Sequence, residues 1–230
     1  MTLPPISWPR GLAAFLALAA LLAAPSSGSA EETWYAQRFT SGDAPVRVDQ
    51  LWSKGPRLRA ETVIAGRPIL TLVSGERYLI VDRLAGTGVS IRRSSSAIAG
   101  DARRGRPFGD EADQILAAGG EKVGSERLGG HACDLYRFTG RNGRREVCVT
   151  ADEARLPVEV ESWSRSSGRT STVRYVDWTR NVPINDQFFQ PDPRWTLEHI
   201  DYEDYRKRSR QAPVGPAPPF YQSLLHGGPR

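Results

Sequence analysis

Three groups of side chains in this 230-residue sequence have the types and spacing that chemistry requires. His131 and Cys133 stand two apart, so on a strand they share a face, and a thiol beside an imidazole is the arrangement of an activated nucleophile. His199, Asp201, Glu203 and Asp204 gather possible metal ligands in one short stretch. No other histidine is near enough in sequence to complete a zinc pattern, and the acids lack the glycine and spacing of a calcium loop. The third group is Cys133 with Cys148, the only cysteines of the chain. A thiol tied up in a disulfide is not a nucleophile, so this third group, once joined, removes the first. A phosphate-binding glycine loop, a dinucleotide fingerprint and a Gly-x-Ser-x-Gly elbow are all missing. The sequence points away from an enzyme and calls for no cofactor, no catalytic residue and no metal.

Whether the cysteines join depends first on compartment. Arg10, the apolar run Gly11 to Ala24 and the small residues from Pro25 to Ala30 have the form of an export signal. Gly28 and Ala30 suit the small pockets of a signal peptidase, so cleavage is expected between Ala30 and Glu31. The apolar run is shorter than the about 20 residues that span a bilayer, and no cysteine follows for lipid attachment. The mature chain is therefore expected in the periplasm, or secreted, with no transmembrane anchor. Disulfides persist there, and the even count favours a Cys133–Cys148 bridge. Hairpin geometry leaves the bridge open. A turn centred on Gly140 and Arg141 sets the two cysteines face to face, whereas a turn at Asn142-Gly143 sets Cys133 opposite Asp152.

The formal charge of +5 comes from 31 basic and 26 acidic residues. Arg10 belongs to the signal and Arg206, Lys207, Arg208, Arg210 and Arg230 to the end of the chain, where there are no acids. Removing these from the 31 leaves 25 basic residues against 26 acidic ones in residues 31–205, and so near neutral a body excludes a nucleic-acid footprint. Two local basic clusters remain, Arg92, Arg93, Arg103, Arg104 and Arg106, and then Arg141, Arg144 and Arg145. Their plainer reading is solvated charge, the sharper one contact with a membrane surface or partner.

The elements that must position these residues are mostly strands. Val46, Val48 and Trp52 alternate with Arg47 and Asp49, and Leu58, Ala60, Thr62 and Ile64 alternate with Arg57, Arg59 and Glu61. Gly55-Pro56, Gly66-Arg67-Pro68 and Gly75-Glu76 punctuate the run at hairpin spacing, which predicts antiparallel neighbours. Further strands are expected at Ile69 to Val73, Tyr78 to Val81, Thr87 to Arg92, Lys122 to Glu126, His131 to Thr139, Arg144 to Thr150, Leu156 to Trp163 and Thr170 to Trp178. Ser94 to Pro107 reads as a loop. Phe108 to Ala118 is the one convincing helix, with acids in its first turn and Gly119-Gly120 as its stop. Asn185 to Tyr205 reads as the last ordered piece, and residues 206–230 as a basic, Pro-rich disordered tail.

This order of parts resembles the LolA/LolB superfamily of periplasmic lipoprotein carriers. The stretches that carry the resemblance are Leu51 to Arg59 (LWSKGPRLR), Ala151 to Val160 (ADEARLPVEV) and Asp177 to Pro191 (DWTRNVPINDQFFQP). The resemblance implies a mainly β, α+β chain. Its strongly curved antiparallel sheet forms a half-open barrel, covered on the concave side by one helix and loops. Such a shape encloses an apolar cavity for a lipid or for the acyl chain of a lipidated protein. On the more apolar strand parity, Val48, Trp52, Leu58, Ile64, Ile69 and Ile80 are expected to line it, facing Phe108, Ile115 and Leu116 of the helix. The function implied is non-enzymatic binding of a hydrophobic ligand. The alternative is an envelope interaction module with a filled core and a protein partner. One question separates the two: whether the concave side is empty or filled.

Overall fold

The computed structural model describes residues 31–43 and 46–228, so the expected signal of residues 1–30, with its cleavage position at Ala30, lies outside the described residues. Six strands come first: β1 (Thr33–Gly42), β2 (Arg47–Lys54), β3 (Arg57–Ile64), β4 (Arg67–Ser74), β5 (Arg77–Asp82) and β6 (Thr87–Arg92). Two short helices follow, α1 (Ser95–Asp101) and α2 (Glu111–Ala117). Then come β7 (Glu121–Leu128), β8 (His131–Gly140), β9 (Gly143–Thr150), β10 (Pro157–Ser164) and β11 (Thr170–Arg180). A 3-10 turn (Asp186–Phe189), β12 (Thr196–Ile200), α3 (Tyr202–Arg208) and α4 (Gln222–His226) complete the chain.

All twelve strands join one sheet in the order β12-β6-β5-β4-β3-β2-β1-β11-β10-β9-β8-β7. It does not close: β12 and β7 are its free edges. Each successive pair is antiparallel as the glycine punctuation requires, and β12 lies parallel to β6, a pairing that hairpin spacing does not encode. The exposed edge strand β7 carries Glu121, Lys122, Glu126 and Arg127, charges that discourage further strand addition.

Period-two alternation gives the sheet two faces. Trp34, Ala36, Leu51, Leu58, Ala60, Ile69, Tyr78, Ile80, Val147, Val160 and Tyr175 fall in one buried cluster, although their strands span most of the sheet's width. Side chains so far apart in strand order meet because the sheet is strongly curved, and this is its concave face. On the convex side Leu70, Leu72, Leu79 and Val81 pack beneath Trp195 and Leu197, which explains why β4 and β5 are apolar on both parities.

The concave side is covered not by one helix but by α2, α3, α4 and the segment between the last two, with α1 packed on α4. Ser94 to Pro107 contains α1, whose N-cap is the Ser94 hydroxyl accepting from the Ala97 N–H at 3.0 Å. The C-terminal segment is not disordered through its described length: Val214, Ala217, Tyr221, Leu224 and Leu225 are all buried in the main core. Its low apolar content suffices because four prolines in residues 213–219 stiffen the unfolded chain and reduce the entropy that docking must offset. Finally, Gly140 pairs with Gly143, so the β8–β9 turn is Arg141-Asn142, between the two alternatives considered. Cys148 then faces Leu135, two positions from Cys133, and the cysteines are diagonal neighbours with Cα atoms 5.4 Å apart, joined in a disulfide.

Candidate functional site

The disulfide removes the thiol chemistry that the sequence raised. Cys133 is buried with Cys148 against Val158 on the face opposite the main core, while the His131 side chain is exposed. Among the described residues no group of three or more His, Cys, Asp or Glu side chains stands close enough to hold a metal ion, and His199 is exposed on β12.

The residues expected to line an apolar cavity divide into two sets. Leu58, Ile69, Ile80, Phe108 and Ile115 lie together in the concave cluster, with Ile64 packed at its margin. Val48 and Trp52 do not join them. They occupy the convex parity of β2, where Val48 is half-buried opposite Phe39 and Trp52 packs on Tyr35 and Phe188 at centroid distances of 5.3 and 5.4 Å. Leu116 points away from the sheet and is 41% exposed. On β2 the concave positions are instead Asp49, Leu51 and Ser53, all fully buried, so choosing the more apolar parity selects the wrong face.

Asp49 is tolerable there because it is saturated with partners. It takes Arg38 Nε at 2.7 Å and Arg47 Nε at 3.0 Å, and accepts from the Thr62 hydroxyl. Arg38 also donates to the Tyr221 hydroxyl at 3.2 Å, and the guanidinium of Arg47 lies 4.3 Å from the Phe220 ring centroid. Phe220 and Tyr221 thus cover this polar cluster from the C-terminal segment. Burial pushes the Tyr221 hydroxyl far above its ordinary range, so it stays a neutral partner.

The same segment is pinned through its backbone. Arg93, whose side chain is fully buried, donates to the Leu224 carbonyl at 2.6 Å and forms an ion pair with Asp101 at 2.7 Å. The Ser94 N–H donates to the Leu225 carbonyl at 3.0 Å, and the Tyr221 N–H to the Tyr78 hydroxyl at 3.2 Å. The chain's own C-terminal segment therefore fills the concave face over β2 to β6, and the residues expected to touch a ligand there are a packed core.

Over β8 to β11 the cover is different. Phe108, just before α2, stacks on Trp178, which stacks on Tyr175, at 5.6 and 5.0 Å. Gly109 has φ of +76°, and a Cβ there would meet the Trp178 ring at 2.6 Å, so only glycine lets α2 approach this closely. Tyr175 donates to Glu111 at 2.9 Å, and burial, reinforced by Glu111, raises the carboxyl pKa of the neighbouring Asp110. Beyond α2, towards the turns that join β8 to β9 and β10 to β11, the cover stops.

There the concave positions are Phe138 and Gly140 on β8, Gly143 and Arg145 on β9, Ser162 and Ser164 on β10 and Ser171 on β11. Glycine and serine project little from the sheet, and they line an open cavity of about 780 Å³ with Phe138 on one side. Arg141, Arg144, Arg145 and Arg169 form its rim, with Asp43 at the end of β1. A second, separate hollow of about 320 Å³ lies against α2, bounded by Arg104, Asp110, Gln114, Ile115, Ala118 and Ser223, and shares Phe138 and Arg145 with the first. None of these cavity residues except Ile115 was among those expected from the sequence. The available signal was the basic cluster at the turn together with small residues on one parity of β9 and β10.

No family model matches the chain, and no curated protein matches it. Solved structures do. An uncharacterized conserved protein from Thermus thermophilus is similar with a TM-score of 0.51 at 8% identity, over 73% of this chain and 90% of that one. MucB of Pseudomonas aeruginosa, solved with MucA, matches with a TM-score of 0.45 at 12% identity over 73% of this chain, which spans 58% of MucB. A putative outer membrane lipoprotein-sorting protein domain from Vibrio parahaemolyticus matches with a TM-score of 0.33 at 11% identity, over 70% of this chain and 89% of that one. The first of these likenesses shows a shared fold. A half-open, mostly antiparallel sheet covered on its concave side is the architecture that the LolA/LolB resemblance implied.

Proposed function

We propose that this protein is a non-enzymatic binder of a hydrophobic ligand, a lipid or the acyl chain of a lipidated protein, working in the periplasm. The observation that carries the reading is the open cavity of about 780 Å³ at the uncovered end of the concave face, a volume in the range of small-molecule sites. The neighbouring hollow against α2, which shares Phe138 and Arg145 with this cavity, would give an apolar chain room to extend toward Ile115. On this reading the ligand lies further along the concave face than Leu58, Ile69 and Ile80, which the C-terminal segment covers. An environment-sensitive acyl probe should bind the wild-type protein, and Ser162→Trp, which puts an indole into the cavity from β10, should abolish that binding with an unchanged melting temperature. A wild-type protein that binds no acyl probe defeats the reading.

The filled-core interaction module keeps one observation in its favour, the burial of Tyr221, Leu224 and Leu225 over half of the concave face. In that case the partner is an envelope protein, and neither probe binding nor the Ser162→Trp change has an effect.

A further inference from the structure

The cavity has a property that apolar burial does not explain, a cationic rim. Arg141 stands at the β8–β9 turn, Arg145 on β9 and Arg169 in the β10–β11 turn, and all three line the same space. Among the described residues none of the three has a carboxylate within ion-pair distance, whereas their neighbour Arg144 is tied to Glu161 at 3.0 Å. Arg145 donates to the neutral Gln114 side chain at 2.9 Å. The one acid of the lining, Asp43, already accepts from the Thr170 N–H at 2.8 Å. Three guanidinium groups without an acidic partner beside an apolar hollow leave both charge and apolar surface unmatched.

We propose that the ligand of this cavity is a lipid with an anionic headgroup, its chain lying over Phe138 toward Ile115 and its headgroup held among Arg141, Arg145 and Arg169. The proposal rests on the hydrophobic-ligand reading above and names the chemical class within it. Guanidinium suits the task because its planar donors match phosphate or carboxylate oxygens two at a time and remain charged at every physiological pH. The pairing also answers a cost. An acid group drawn to the edge of an apolar cavity loses water, and an opposite charge within hydrogen-bond reach replaces it. The tight turn places the charges where they are needed: a Cβ at Gly143 would collide with the Trp163 carbonyl oxygen, so glycine lets the two hairpins close up beside the rim.

The test uses the purified protein with two single-chain lipids of equal chain length, myristoyl lysophosphatidylglycerol, which is anionic, and myristoyl lysophosphatidylcholine, which is zwitterionic. Inorganic phosphate and a polyglutamate peptide serve as controls. The anionic lipid should bind about tenfold more tightly, with the advantage shrinking as salt rises from about 0.05 to about 0.5 M. The combined variant Arg141→Ser, Arg145→Ser, Arg169→Ser should lose that advantage and still bind the choline lipid. Arg141→Ser alone, at an exposed turn, supplies the same comparison if the triple variant is unstable. Equal binding of both lipids by the wild type overturns this inference and leaves the cavity reading standing, whereas binding of neither rejects the cavity reading itself. Phosphate or polyglutamate binding as tightly as the anionic lipid also overturns it, in favour of a plain anion site or a peptide groove.

Discussion

Asp49 shows how a single position misleads a reading based on apolarity. It is fully buried, and the partners that make this possible, Arg38 and Thr62, come from the strands on either side of its own. No local pattern in β2 announces them, so Val48 and Trp52 look like the inward face when they are the outward one. On β3, β4 and β5 the same reasoning succeeds, because apolar residues, Leu58 and Ala60, Ile69 and Val73, Tyr78 and Ile80, predominate on the concave parity. Replacing one member of a buried, hydrogen-bonded pair leaves the other unpaired, so Asp49→Ala should lower unfolding free energy by about 3 kcal/mol in urea titration. A change below about 1 kcal/mol would mean that water reaches Arg38. His226 offers a test by pH. Burial first, and Arg206 second, hold its imidazole pKa below the ordinary value. The unfolded chain therefore binds a proton more readily, so stability from this site is full above about pH 6.5 and declines as pH falls below it. His226→Gln should flatten the fall in melting temperature between about pH 7 and about pH 5.5.

At the scale of elements, α4 is the one that composition hides. Five residues, Gln222–His226, supply Leu224 and Leu225 to the core, and two backbone carbonyls to Arg93 and Ser94. A window dominated by proline, arginine and glycine averages these anchors away, and neither Arg93 nor Tyr78 signals in sequence that its partner lies beyond residue 220. The strands were legible because alternation and glycine turns are local; α1, α4 and the parallel β12 were not, because each is fixed by contacts far off in the chain. Leu225→Ala should cost about 2–4 kcal/mol, as for other fully buried leucines, measured by denaturant unfolding. Removal of residues 209–230 should lower the melting temperature sharply. An unchanged midpoint after that truncation would return the segment to the status of a loose tail.

For the whole molecule, the proposed export and the disulfide are linked. A bridge closing a separation of 15 residues contributes about 3 kcal/mol in the chain-entropy picture, and it forms where thiols are oxidised. Protein from the cell envelope should therefore have a mass that begins at Glu31 and is short by the two hydrogens of Cys133 and Cys148. A mass that includes Met1 to Ala30, or free thiols on alkylation, would remove the periplasm from the proposal. The way the C-terminal segment docks also has a consequence for the order of events in folding. Tyr221 bonds to Arg38 across 183 positions, and Leu224 to Arg93 across 131. Closing loops of that length is slow, and the apolar floor of the first six strands has no lid until residues 214–225 are available. A polypeptide that crosses a membrane from its N-terminus thus arrives with its longest greasy surface bare and its cover still on the other side. If the chain is exported as proposed, arrival of residues 214–225 on the far side is the event that lets the core close, and the waiting chain would be a natural client for envelope chaperones.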